Sequence, residues 1–254
     1  MQQIDSQKFF RTLNRMAIRF GLGLGLLALQ FSCASQAPTI AHTHIGHAIT
    51  GFQGTPGDKG LFVVAEDRGL EAQTYMTELL ASSDPGRSGQ ALDALLTTLV
   101  GENYGLKRSV HEAANHLEFA AQSIDASSNV ANGIGTFVTG SEAIVRRSDI
   151  IALLGQDVAQ GATPAERNLL LRRMKELMSS IQVGEDINGN GSIGDEPEEL
   201  GLLQMRDQLD ALIAGESPPY STVDRWYLFN LVRLPDCNNC WAWRKWANPS
   251  NRGY

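Results

Sequence analysis

Apolar residues recur along this chain at helical spacing. From Gly60 to Ser82 they fall at Leu61, Val64, Ala65, Leu70, Ala72, Tyr75, Met76, Leu79 and Leu80, which predicts one amphipathic helix. Asp84-Pro85-Gly86 closes it. Leu92, Leu95, Leu96 and Leu99 predict a second helix over 88–100. Leu106, Val110, Ala113, Ala114, Leu117 and Ala121 predict a third over 106–124. A long helix is expected over 127–158, irregular near Gly133 and Gly135, with Val130, Ile134, Phe137, Ile144, Ile150, Ile151, Leu153 and Leu154 on its apolar side. Thr163-Pro164-Ala165-Glu166 combines an N-cap, a proline at the first helical position and a capping-box glutamate. The helix it opens should turn Leu169, Leu170, Met174, Leu177, Met178 and Ile181 inward. Another is expected from about Pro197 to Gly215, through Leu202, Leu203, Met205, Leu209, Leu212 and Ile213. After Pro218-Pro219, Trp226, Tyr227, Phe229, Leu231 and Val232 suggest a last short helix over 222–234. No series of period two stands out, so the expected class is all-α, an antiparallel helical bundle with its main domain over 60–215.

The two ends differ from this middle. Lys8, Arg11, Arg15 and Arg19 precede a short apolar run from Phe20 to Leu29, then the small residues Ser32, Cys33 and Ala34. The run is too short for a span of about 20 residues. Residues 1–34 read as a signal peptide, to be left out of fold reasoning. Cleavage after Ala34 would release a secreted protein. Leu27-Ala28-Leu29-Gln30-Phe31-Ser32-Cys33 also resembles a bacterial lipoprotein signal, which would make Cys33 a lipid anchor to the membrane. Either route places the domain outside the cytoplasm, in the periplasm, on a membrane or in the medium. Residues 37–59 are punctuated by Pro38, Gly51, Gly54, Pro56 and Gly57 and read as a histidine-containing segment outside the bundle. The last stretch, 216–254, carries Cys237, Cys240, Trp241, Trp243 and Trp246 among cations. In an oxidising space Cys237 and Cys240 can close a small disulfide. This tail is too short for a core of its own and offers a surface for a protein partner.

Charge narrows the field. The formal net charge is −7, and the signal segment holds four of the cations against one acid, Asp5. So acidic a chain repels nucleic acid.

The densest candidate chemistry lies between the last two helices of the main domain. Asp186, Asn188 and Asn190 offer side-chain oxygens at alternating positions, Ser192 a backbone carbonyl, and Gly191 a residue free to turn. Ile193 is the apolar residue expected to pin the middle of the loop to the core. Over about fourteen residues this resembles an EF-hand calcium loop, and the flanking helices extend the resemblance. The departure is at the twelfth position, where Pro197 replaces the closing glutamate. A lengthened loop closed by Glu199 or Glu198 is the reading that keeps a bidentate carboxylate. The resemblance implies Ca2+ bound in a structural role.

Three of the five histidines, His42, His44 and His47, fall within six residues. Imidazole is a common ligand for transition metals, Zn2+ or Cu2+ here. His111 or His116 could complete such a site if the N-terminal segment folds back over the bundle. Those two are five residues apart, about 140° around a helix, so one face cannot present both to one ion.

Nothing in the sequence specifies a reaction. There is no Gly-x-Ser-x-Gly elbow, no phosphate loop with lysine, and no glutamate at metalloprotease spacing from the histidines. The leading expectation is an extracytoplasmic calcium-binding helical protein with a second, histidine-based metal site. A metal-dependent periplasmic enzyme and an assembly lipoprotein docking through its tryptophan-rich tail are the alternatives.

Overall fold

Short connections return each predicted helix onto the one before it. The structure, a computed structural model, describes residues 39–216 and 220, and the backbone of 224–227 and 232–235. The elements are α1 (Ile40–Ile49), α2 (Leu61–Ala81), α3 (Pro85–Val100), α4 (Leu106–Gln122), α5 (Ser128–Gly133), α6 (Gly135–Ala159), α7 (Pro164–Val183) and α8 (Leu202–Ala214). Single 3-10 turns lie at Pro56–Asp58 and Pro197–Glu199. The class is all-α, a helical bundle, as the apolar spacing predicts. Among the described residues no helix is long and apolar enough to cross a membrane.

Local signals set most of the boundaries. Asp84 Oδ1 accepts from the Arg87 N–H at 2.9 Å, so Asp84-Pro85 ends one helix and also caps the next. The capping box of Thr163 and Glu166 is formed. The expected irregularity in the long helix is a break at Ile134, between α5 and α6. Pro197 opens only a 3-10 turn, and the α-helix restarts at Leu202.

The core joins Leu61, Phe62, Met76, Leu95, Leu99, Leu117, Phe137, Ile144, Ile151, Met174 and Leu209. Burying each such side chain contributes about 1.5–3 kcal/mol. Exposed pairs such as Lys59–Asp67 and Lys107–Asp149 contribute at most about 1 kcal/mol each, so packing decides the fold. An arginine–carboxylate pair is internal. The Arg206 guanidinium on α8 holds the Glu66 carboxylate of α2 and lies 5.0 Å from the Phe62 ring.

Several expectations need correction. Residues 40–49, read as part of an irregular segment, form α1, which packs on α4. Thr39 caps it through the His42 N–H, and Ala41, Ile45, Ala48 and Ile49 bury one face, which overrides the prolines and glycines around it. The helix expected over 222–234 is instead two antiparallel strands, β1 (Asp224–Tyr227) and β2 (Val232–Pro235), with Asp224 opposite Pro235 and Tyr227 opposite Val232. Its aromatic and β-branched residues suit strands at least as well as a helix. The strand pair belongs to a different compact unit from residues 39–216. Within the bundle, Leu70, Leu80, Ile150, Leu153 and Leu169 were assigned inward, yet they stand exposed at helix edges. The signal segment with Cys33, and the Cys237–Cys240 pair with its tail, lie outside the described residues.

The loop between α7 and α8 closes on itself at its base. Glu185 N–H donates to the Glu199 carbonyl at 2.9 Å. Gly184, at φ +77°, has no room for a side chain: a Cβ there would lie 2.4 Å from the Glu199 carbonyl oxygen. We expect Gly184→Ala to lower stability by at least about 2 kcal/mol in urea unfolding, through strain and displacement of this neck. Gly161→Ala, with positive φ but open space, should cost less.

Candidate metal centre

Helix α1 is fastened before its histidines are placed. The Asp125 carboxylate, from the α4–α5 connection, accepts the N–H groups of Ile40 at 2.7 Å and Ala41 at 3.1 Å. It supplies negative charge to a helix N-terminus from a distant part of the chain. Burial raises the Asp125 pKa, but these backbone donors outweigh it and hold the group below the ordinary carboxylate range. His42 points inward, with Nε2 2.9 Å from Glu216 Oε2. Glu216 Oε1 also accepts from Ser127 Oγ and Asn129 Nδ2, both at 2.6 Å. Burial raises the Glu216 pKa, and these donors together bring it below the ordinary value.

With α1 so held, His44 and His47, one turn apart, face His116 on α4. His116 Nδ1 lies 3.1 Å from His44 Nδ1 and 3.3 Å from His47 Nδ1. One ligand nitrogen from each of the three lies within 4.8 Å of the others, and all three rings are half-buried. Phe52 and Phe119 wall the cluster, with centroids 5.1 Å and 6.2 Å from His116.

The donor chemistry suits a cation. A neutral imidazole nitrogen either donates or accepts, so the single His116 Nδ1 cannot satisfy both neighbours well. A metal at the convergence point would take all three lone pairs. Zinc–nitrogen bonds of about 2.0–2.1 Å in a tetrahedron separate the nitrogens by about 3.3–3.4 Å. The two contacts at His116 are close to that separation.

The other two candidate histidines are elsewhere. His42 is committed to Glu216. His111 is exposed, with Nε2 3.3 Å from Asn115 Nδ2, and does not join the cluster.

The α7–α8 loop is built differently. Asp186 Oδ1 accepts from the N–H groups of Gly189 at 2.7 Å and Asn190 at 3.1 Å, and Oδ2 from Gly191 at 2.8 Å. Asn188 and Asn190 each turn a side-chain oxygen onto the N–H two residues ahead, at 2.9 and 2.7 Å. Between Glu198 and Glu199, only Glu199 enters the loop. Its Oε1 accepts from Ile187 and Asn188 at 3.2 and 3.3 Å, and its Oε2 from Gly194 and Glu196 at 3.1 and 3.4 Å. Burial raises the Glu199 pKa, and the four donors outweigh it and lower the pKa. Glu198 is exposed, and its carbonyl accepts from Arg147 Nη2 at 2.6 Å. Arg147 also donates to the Leu200 carbonyl at 2.9 Å, holding the backbone on both sides of Glu199. Gly191 has the positive φ expected of it, +86°. Ser192 is exposed, and Ile193 is 43% exposed, leaning over the neck at Gly184 rather than reaching the core. Among the described residues no three carboxylates of this loop converge as the three histidines do.

Asp125, Arg147, Glu216, Phe52 and Phe119 were not singled out from sequence. Asp125, Arg147 and Glu216 act across long separations in the chain, while Phe119 lies one helical turn from His116 and Phe52 five residues from His47. Compared with family models, with curated proteins and with solved structures, the chain matches none of them.

Burial pushes the His116 pKa down to about 4, helped by His47 and His44 and opposed by Glu112. Burial and His44 likewise lower His47. A histidine with a depressed folded pKa binds protons more readily when unfolded. Stability therefore falls as the pH drops below 6.5, and goes on falling until about pH 4. In metal-free protein the His116 ring resonances should titrate near pH 4 by NMR. His116→Gln should flatten the fall in melting temperature between pH 6.5 and 5.

Proposed function

We propose that this protein binds a divalent transition metal, zinc or copper, through His44, His47 and His116. The convergence of three imidazole nitrogens from two packed helices is the observation that carries the reading. All-nitrogen ligation suits both metals, and neutral histidines bind without first losing a proton. The basic stretch followed by a short apolar run supports work outside the cytoplasm, as a periplasmic, secreted or Cys33-anchored protein. The role so supported is metal binding. The cluster would equally serve a metal-dependent enzyme.

A second reading concerns Ca2+ in the loop at 186–199. The side chain of Glu199, buried between both ends of that loop, supports it together with the EF-hand resemblance. Each carboxylate oxygen that accepts an N–H keeps lone-pair capacity for a hard cation. The ion would then stabilise the α7–α8 pair, and its ligands would be Asp186, Asn188, Asn190, the Ser192 carbonyl and Glu199.

Competition of the mature protein with a chromophoric chelator should show one zinc or copper per chain. His116→Ala should weaken that binding by more than the roughly 10–100-fold typical of losing an outer-shell partner, with helix content kept by circular dichroism. His111→Ala should leave it unchanged. Equal affinity in all three proteins would overturn the histidine site. For calcium, Glu199→Gln should weaken binding while Glu198→Gln should not. Calcium affinity unaffected by either change would remove the loop reading.

A further inference from the structure

We propose that the metal held by His44, His47 and His116 keeps an exchangeable coordination position, filled by a small anion or by water ionised to hydroxide. This rests on the histidine reading above and specifies the chemistry of the same centre.

The first ground is the ligand count. Among the described residues, which include none of the three cysteines, no fourth histidine or carboxylate joins the three nitrogens. His42 is turned into the core and bonded to Glu216, and His111 sits on another side of α4. Glu112 lies one turn before His116, but its Oε1 accepts from Arg108 Nε at 2.6 Å. Three protein ligands with one further position is the pattern of zinc sites that bind water or substrate, while structural sites are closed by four.

The second ground is rigidity. The α1 fork is fixed at its N-terminus by Asp125, through its body by the buried pair His42–Glu216, and along its face by Ala41, Ile45 and Ala48. Displacing α1 to recruit another ligand would break these contacts together.

The third ground is charge. Three neutral imidazoles leave the full double charge on the ion. The phenyl rings of Phe52 and Phe119 beside the cluster offer no lone pairs, and the Glu112 carboxylate that acts on His116 is tied to Arg108. A cation so placed draws an anion, and it lowers the pKa of a bound water toward neutrality. Access and size follow from the burial. The three histidines are half-buried and Phe119 is 53% exposed, so the cluster lies within reach of solvent. Ligands of a few atoms, such as azide, halide or hydroxide, suit a half-buried centre of this kind.

The test uses the full chain, stripped of metal and loaded with Co2+ as a spectroscopic probe. Absorption of tetrahedral cobalt at one equivalent, lost in His116→Ala and kept in His111→Ala, is the loading control. Absence of that signal would count against the histidine site itself. Titration with azide should then shift the cobalt bands saturably, with one azide per cobalt and the same response in His111→Ala. Loaded cobalt whose spectrum ignores azide would overturn the open position. So would a sulfur-to-cobalt charge-transfer band, because it would show a cysteine closing the site.

Discussion

The arrangement depends on how α1 is held against α4. Its apolar face supplies attraction without direction: Ala41, Ile45, Ala48 and Ile49 would pack in more than one register. Direction comes from charge. Asp125 meets the first two N–H groups of α1, and Glu216 meets His42, the next residue along. Sliding the helix by one residue would break the Asp125 contacts at the surface and leave the buried His42 and Glu216 unpaired, at about 1–3 kcal/mol for each buried group. That penalty selects the register in which His44 and His47 face His116.

Much of the bundle was legible because amphipathic helices advertise themselves. Apart from the short α5, each helix from α2 to α8 has an apolar stripe, and the caps at Asp84 and Thr163 are readable in a few residues. What failed was local. Helix α1 is short and follows Pro38, and Gly51, Gly54 and Pro56 come soon after it, so its neighbours hid it. Had it been read as a helix, the three-residue step from His44 to His47 would have put both on one edge. The hairpin over 224–235 was missed for a related reason. Tryptophan, tyrosine and valine carry little helical preference, and four-residue strands are too short to show a period.

The histidine cluster was half readable. Clustered histidines drew attention to the segment, and the 140° separation showed that His111 and His116 could not act together. Which of them would serve depended on the face that α4 turns toward α1. In the loop, ligand spacing pointed to Glu198 or Glu199 as the closing residue. The distinction depends on Arg147, 51 residues from Glu198, which grips the carbonyls on either side of Glu199. Such a contact leaves no trace in local pattern.

The neck beneath that loop has a consequence for how the chain could change over time. Glu185 and Glu199 are joined by a backbone bond, and Gly184 and Gly201 are nearly in contact, so the two ends of the excursion are fixed to each other. Helices α7 and α8 therefore meet through the neck, whatever lies beyond it. The exposed tip, Gly189 to Gly191, can therefore change in length or sequence without passing strain to the helices, provided the N–H groups of Ile187, Asn188, Gly194 and Glu196 still meet the buried Glu199 carboxylate.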